Sequence, residues 1–244
     1  MFSGDPAERR TYLDAGFDGA IDYPLHGALL RAFARREGVE AIVGTVHALT
    51  RELGPERVHG LVNFVDNHDV PRFVSEIPED VPADEALSRY HLALVALFTL
   101  PGIPQLYYGN EIAMYGGRDP DNRRDMPSWA FDEKGRAALH PEDSLGTPAE
   151  TFALVQQLVR LRRTSAALRS GEFEVLQAST ADALVFARTL PQQRVVVALN
   201  TGDAPLEVPV EELQGASVVS VGSAQISDGI LRVPGSSAVI LGGR

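Results

Sequence analysis

The 244-residue chain has no cysteine, which excludes a disulfide framework, thiol catalysis and any thiolate-bound metal. It has no apolar run long enough to span a bilayer. Basic residues are in deficit as well: 22 Lys and Arg against 33 Asp and Glu give a formal net charge of −11. That average field repels nucleic acid and anionic membranes, so neither is expected as a partner. The opening residues show no apolar segment behind a basic one, and a cytoplasmic location is the expectation. With 44% hydrophobic residues the chain can bury a substantial core as one or two globular domains.

Up to about residue 165, short β-like runs alternate with helical ones. Ala20 to Tyr23 reads as a brief strand, and Leu25 to Arg36 and Val39 to Leu53 as helices on either side of Gly38. A strand is expected over 61 to 66. Asp84 to Leu100 is a helix with Leu87, Tyr90, Leu94, Leu97 and Phe98 on one side, starting just after Pro82 and stopping at Pro101-Gly102. Ile103 to Gly109 is a further strand, followed by a long polar loop from Asn110 to about Gly146; a connection of that length is functional or disordered. The next helix carries a start signal: Thr147 as N-cap, Pro148 at the first helical position and Glu150 completing a capping box.

From Gly171 the texture changes. Runs at 173–176, 184–189, 194–199, 206–210, 218–221, 230–233 and 238–241, separated by Gly, Pro, Asn and Asp, describe a small antiparallel β-sandwich. The fold class is therefore α/β feeding an all-β module, divided into 1–168 and 169–244.

Chemistry concentrates where the run Leu61 to Val65 ends in Asp66-Asn67-His68-Asp69. Two carboxylates, an imidazole and an amide at the C-terminal end of a strand sit where an α/β barrel keeps its active site. By type alone they suit a polyhydroxylated ligand or a developing positive charge, or merely a polar loop over a buried strand.

Three ordered segments carry a resemblance: Phe64-Val-Asp-Asn-His-Asp69, Gly102-Ile-Pro-Gln-Leu-Tyr-Tyr-Gly-Asn-Glu111 and Gly117-Arg-Asp-Pro-Asp-Asn-Arg-Arg-Asp-Met-Pro127. Together the chain resembles the C-terminal portion of the α-amylase family of glycoside hydrolases, in its neopullulanase, cyclomaltodextrinase and maltogenic amylase branch. The resemblance implies about strands 6 to 8 of a TIM (β/α)8 barrel followed by an antiparallel β-sandwich domain. It implies an α-glucan or maltooligosaccharide substrate and a retaining mechanism. Asp69 would stabilise the transition state, and Asn67, His68, Asp119 and Arg123 would bind sugar. The duller competitors are a structural histidine at a strand end and a surface Asp119–Arg123 ion pair. Tyr107, Tyr108 and Trp129 are read as packing rather than stacking residues, Glu111 as a structural acceptor, and Asp121 and Asp125 as solvated charge. No cofactor and no metal are expected, and a homo-oligomer stays open for the full-length enzyme.

The chain also departs from the family. No segment resembles the Gly-x-Arg-x-Asp motif that carries the nucleophile, and Phe2 to Pro6 resembles the stretch just after the acid. The expectation is a piece of a longer enzyme, inactive alone, whose three barrel strands leave edges open and make the α/β part prone to aggregation. The alternative is a non-catalytic carbohydrate-binding or assembly protein on the same fold. A Ser-His-Asp hydrolase is set aside, since no Gly-x-Ser-x-Gly elbow occurs.

Overall fold

The computed structural model describes residues 6–177, 179–209 and 216–242. Helix α1 (Pro6–Asp14) precedes α2 (Tyr23–Leu29), which runs on as a π-helical turn over Leu30–Ala34. Then follow α3 (Glu40–Leu53), α4 (Pro55–Val58), β1 (Val62–Phe64), α5 (Ala83–Thr99) and β2 (Ile103–Gln105). Short α6 (Glu133–Ala137), α7 (Pro148–Thr164) and α8 (Ala166–Ser170) lead into eight antiparallel strands. These are β3 (Glu172–Val175), β4 (Ala183–Leu190), β5 (Gln193–Asn200), β6 (Leu206–Pro209), β7 (Ala216–Val221), β8 (Gln225–Ser227), β9 (Ile230–Val233) and β10 (Ser237–Gly242). None of the helices is long and apolar enough to cross a membrane among the described residues.

Strands β1 and β2 are parallel, with Val62 opposite Ile103 and Phe64 opposite Gln105. On the other side of β1, Ile21 bridges Val62 in parallel, with Val62 N–H donating to the Ala20 carbonyl at 2.8 Å and Asp22 N–H to the Val62 carbonyl at 2.9 Å. Residues 20–22, β1 and β2 thus lie side by side in that order, with no further strand on β2 among the described residues. The fold is α/β here, as the alternating texture suggests. Gly102 opens β2 at φ +114°, and a Cβ there would meet the Asn63 amide at 2.6 Å. Only glycine combines that dihedral with that approach.

Three local expectations are corrected. The strand expected over Ala20 to Tyr23 is a single bridge, because the Asp22 carboxylate accepts from Leu25 N–H at 3.0 Å and starts α2 two residues early. Thr147 makes no side-chain cap; Glu150 N–H turns back to the Thr147 carbonyl at 3.0 Å, so no capping box forms. The strand expected to reach Gly109 stops at Gln105, since Tyr107 N–H donates to the Asn110 side chain at 2.8 Å. The loop after Asn110 is not structureless: it holds three 3₁₀ turns and α6. Of the expected run 206–210, residue 210 lies outside the described residues; β8 had no counterpart in the sequence reading.

The eight antiparallel strands form a five-stranded sheet, β3-β4-β5-β10-β7, and a three-stranded sheet, β6-β9-β8. Alternation divides the larger sheet between two cores. Leu184, Phe186, Val195, Val197, Leu199 and Ile240 join α2, α3, α5 and α7 in one cluster, while Val185, Ala187, Val196, Ala198, Val239 and Leu241 pack on Val208, Leu231 and Val233 of the smaller sheet. The helical and antiparallel regions therefore share a continuous core. One face of the larger sheet thus buries apolar area against the helices and the other against the smaller sheet.

At the N-terminal end of the parallel strands two arginines are buried, and no carboxylate pairs with either among the described residues. Arg162 donates to the Phe98 carbonyl at 2.7 Å and to the Gly102 carbonyl; Arg188 donates to the Thr99 carbonyl at 2.7 Å and twice to the Gly171 carbonyl. The last carbonyls of α5 lack intrahelical donors and carry the negative end of the helix dipole, so they stand in for counter-ions. Burial pushes Arg162 down to about 10, and burial with the neighbouring Arg162 charge pushes Arg188 down to about 9.

Candidate active site

The C-terminal end of β1 is built around Asp66, the first of the two carboxylates in the Asp66–Asp69 block, to which the sequence reading gave no separate role. Asp66 is fully buried and accepts from Phe73 N–H at 2.8 Å and from the Asn110 amide at 2.9 Å, with the Arg72 guanidinium at 3.7 Å. Burial raises its pKa; the Phe73 bond, Arg72 and Asn110 oppose that rise. The structural acceptor expected at Glu111 is in fact Asp66; among the described residues nothing donates to the Glu111 carboxylate. Tyr90 O–H fixes the Asn110 carbonyl at 2.7 Å from α5.

Arg72 is the second such residue. Its Nε donates to the Asn122 carbonyl at 3.0 Å and its Nη1 to the Tyr108 carbonyl, while its plane lies 4.0 Å from the Tyr107 ring centre and 4.6 Å from that of Tyr108. One buried side chain thus ties β1's tip to the loops after β2. A planar guanidinium can hydrogen-bond in its plane and stack on its faces, which a lysine cannot.

The expected site residues are carried on this base. Asn67 is buried, and its Oδ1 accepts from Asp69 N–H at 2.8 Å, forming an Asx turn that presents residues 68 and 69 outward. His68 Nε2 lies 3.3 Å from Asp69 Oδ1, with side-chain exposures of 59% and 38%. Tyr23 O–H donates to Asp69 Oδ2 at 3.2 Å and stands 3.5 Å from the Asn67 amide, with its ring edge-on to Phe64. Asp69 is therefore held by Tyr23, flanked by the exposed His68 imidazole, and open to a ligand.

Asp119 and Arg123 pair at 3.0 Å, and Arg123 Nε also donates to the His68 carbonyl at 3.1 Å. Asn122, buried beside it, donates to the His68 and Val70 carbonyls at 3.0 and 2.9 Å. These three bonds bring the 119–123 segment against the 67–70 tip, and the Asp119–Pro120 peptide between them is cis. A cavity of about 400 Å³ lined by Asp69, Val70, Pro71, Glu76, Arg118 and Asp119 lies at the junction. All five expected residues thus belong to one locality.

Tyr23, Arg72, Asn110 and Asn122 are supporting residues that sequence reasoning missed, and the supporting role of Asp66 was missed with them. Asp66, Asn110 and Asn122 sit inside the quoted motifs, so their place beside Asp69, Glu111 and Arg123 was the available signal; Asp66 was counted there as a carboxylate but given no supporting role. Tyr107 and Tyr108 are engaged by Arg72, and Trp129 stacks on His140, which agrees with reading them as packing residues. Asp121 is not simply solvated: it accepts from Arg124 Nε at 2.6 Å and from Gly117 N–H, which lowers its pKa.

Parallel α/β folds of this kind, with polar groups gathered at the strands' C-terminal end, form a class that hosts many chemistries, and residues 1–171 match the family described as Alpha amylase, catalytic domain. The chain belongs to that family. It is 28% identical over 200 residues to a cyclomaltodextrinase of Geobacillus thermopakistaniensis, covering 80% of this chain and 30% of that protein. It is 33% identical over 194 residues to neopullulanase 2 of Thermoactinomyces vulgaris, covering 75% and 28%. Among solved structures, an Anoxybacillus α-amylase superimposes with a TM-score of 0.77 at 27% identity, over 99% of this chain and 50% of that one. The chain spans about a third of the length of the curated relatives it matches.

Proposed function

We propose that these residues form part of a retaining glycoside hydrolase acting on α-glucosidic bonds of starch, maltooligosaccharides or cyclodextrins. Residues 20–22, β1 and β2 correspond in this reading to about strands 6 to 8 of a (β/α)8 barrel, and the antiparallel sheets to the domain that follows it. Asp69 orients the sugar hydroxyls and stabilises the oxocarbenium-like transition state; Asn67, His68, Asp119 and Arg123 bind the sugar. The observation that carries this is the Asp69 carboxylate, held by the Tyr23 hydroxyl with the His68 imidazole 3.3 Å away and lining one cavity with Asp119. A fixed carboxylate beside a developing cation lowers the barrier because it needs no reorganisation as the charge appears.

Retention requires a nucleophile and an acid about 5 to 5.5 Å apart. No Gly-x-Arg-x-Asp segment occurs in the 244 residues. We assign both roles to polypeptide outside them, so this chain alone has no turnover. The test is to incubate the 244-residue protein with maltotriose and with β-cyclodextrin, following reducing ends and, by calorimetry, binding. Binding weakened by Asp69→Ala without product is expected. Robust maltose release by the chain alone sinks the division of labour, and binding indifferent to Asp69→Ala sinks the site.

A further inference from the structure

The loop between β2 and α7 brings together one imidazole and two carboxylates that the sugar site does not use. One nitrogen of His140 and one carboxylate oxygen each of Glu142 and Asp143 all lie within 4.8 Å of one another. His140 Nε2 meets the Gly135 carbonyl at 2.9 Å, and a carbonyl can only accept, so Nε2 carries a proton and Nδ1 is the nitrogen that the neutral imidazole offers as a ligand. Nδ1 is also the atom nearest Glu142, at 3.8 Å. Donation of the distal ring N–H to a backbone carbonyl is the orientation that metal-bound histidines adopt.

The other supports come from Trp129. Its indole N–H donates to Asp143 Oδ2 at 2.9 Å, which fixes that carboxylate, and its ring lies flat on His140, 4.0 Å away with 1° between the planes. The imidazole can neither rotate nor swing without losing that contact. Two of the three groups are thus held before any ion arrives. Glu142, with 69% side-chain exposure, is the mobile third.

We infer that His140, Glu142 and Asp143 form a binding site for a first-row divalent transition ion, with zinc as the commonest candidate. An imidazole with two carboxylates suits zinc or its neighbours better than calcium or magnesium, which prefer all-oxygen shells. Water completes the coordination. Asp143 also accepts Tyr115 N–H through its carbonyl at 2.8 Å, and Leu145 N–H donates to the Ala113 carbonyl at 2.9 Å. An ion here would stiffen the 140–143 segment, and the Asp143 and Leu145 backbone bonds to Tyr115 and Ala113 already join the two ends of the loop that carries Asp119 and Arg123, independently of any sugar chemistry.

Trp129 is the single tryptophan of the chain, so its emission reports on this site directly. Titration of the purified, chelator-treated protein with ZnCl₂ is expected to give a saturable, one-to-one change in Trp129 fluorescence with a matching calorimetric isotherm. Glu142→Gln, an exposed change that leaves the fold alone, and His140→Gln should each weaken zinc by at least about tenfold. MgCl₂ and CaCl₂ should not compete. Zinc affinity unchanged in Glu142→Gln would mean that the ion sits on other histidines and overturns the site, as would the absence of saturation. If His140→Gln loses its circular dichroism signal, the Glu142→Gln result decides.

Discussion

The two ends of the parallel strands treat charge in opposite ways. At the C-terminal end Asp69, Asp119 and Arg123 stand at the surface, held by neighbours but open, above a buried Asp66–Arg72 pair. At the N-terminal end Arg162 and Arg188 are buried and compensated by helix and loop carbonyls alone. One end keeps charge available to a ligand; the other uses it up in holding α5, α7 and the five-stranded sheet together.

The largest expected effect falls on the open end. In an enzyme containing this chain, Asp69→Asn should lower kcat/KM on maltotriose by on the order of 10³-fold or more while leaving the thermal midpoint unchanged. A stability loss comparable to that of a core mutant would place Asp69 on the structural side of the comparison instead. Next is Arg72→Leu, which strands Asp66 as a buried charge and should cost about 3–5 kcal/mol in urea unfolding. Adding Asp66→Asn should recover part of that loss; no recovery would mean that the pair is not the cause.

Arg188→Met at the opposite end leaves no orphaned carboxylate, only the Thr99 and Gly171 carbonyls. A smaller cost of about 2–4 kcal/mol is expected, and a cost above that of Arg72→Leu would reverse the ranking of the two ends. The smallest effect concerns His91, which bridges α5 to Thr151 of α7 at 2.9 Å. Burial holds its pKa at about 4, below the ordinary 6.5, so the unfolded chain takes up this proton first. Its contribution is complete above the unfolded value and is lost as pH falls from 6.5 towards 4. Asp22, raised to about 6 by burial, acts in the other direction, its contribution present below the ordinary 3.8 and lost as pH rises through 6. The difference between wild type and His91→Gln isolates the histidine: melts at pH 7 and pH 4.5 should show a smaller acid loss in the variant, by on the order of 2 kcal/mol.

Much of this was legible in the chain order of residues. Alternating apolar runs fall on β1, β2 and all but one of the antiparallel strands, because strand and helix burial impose periods that survive in sequence. The quoted motifs also brought Asp69, His68 and Arg123 into view together. Asp22 and Thr147 were misjudged because a cap depends on where the backbone turns, which identity and spacing only suggest. The strand β8, Gln225–Ser227, is exposed throughout and so leaves no apolar signature.

What the sequence determined by itself was the family, the α/β texture with its antiparallel continuation, and the residue types able to meet a sugar. Tertiary structure alone decided that Tyr23, 46 residues away, would hold Asp69, that Arg72 would lock three loops, and that His140 would face two carboxylates. Local preference and burial are short-range properties that composition records. Contacts between distant segments depend on chain closure, and no periodicity encodes which side chains that closure brings face to face.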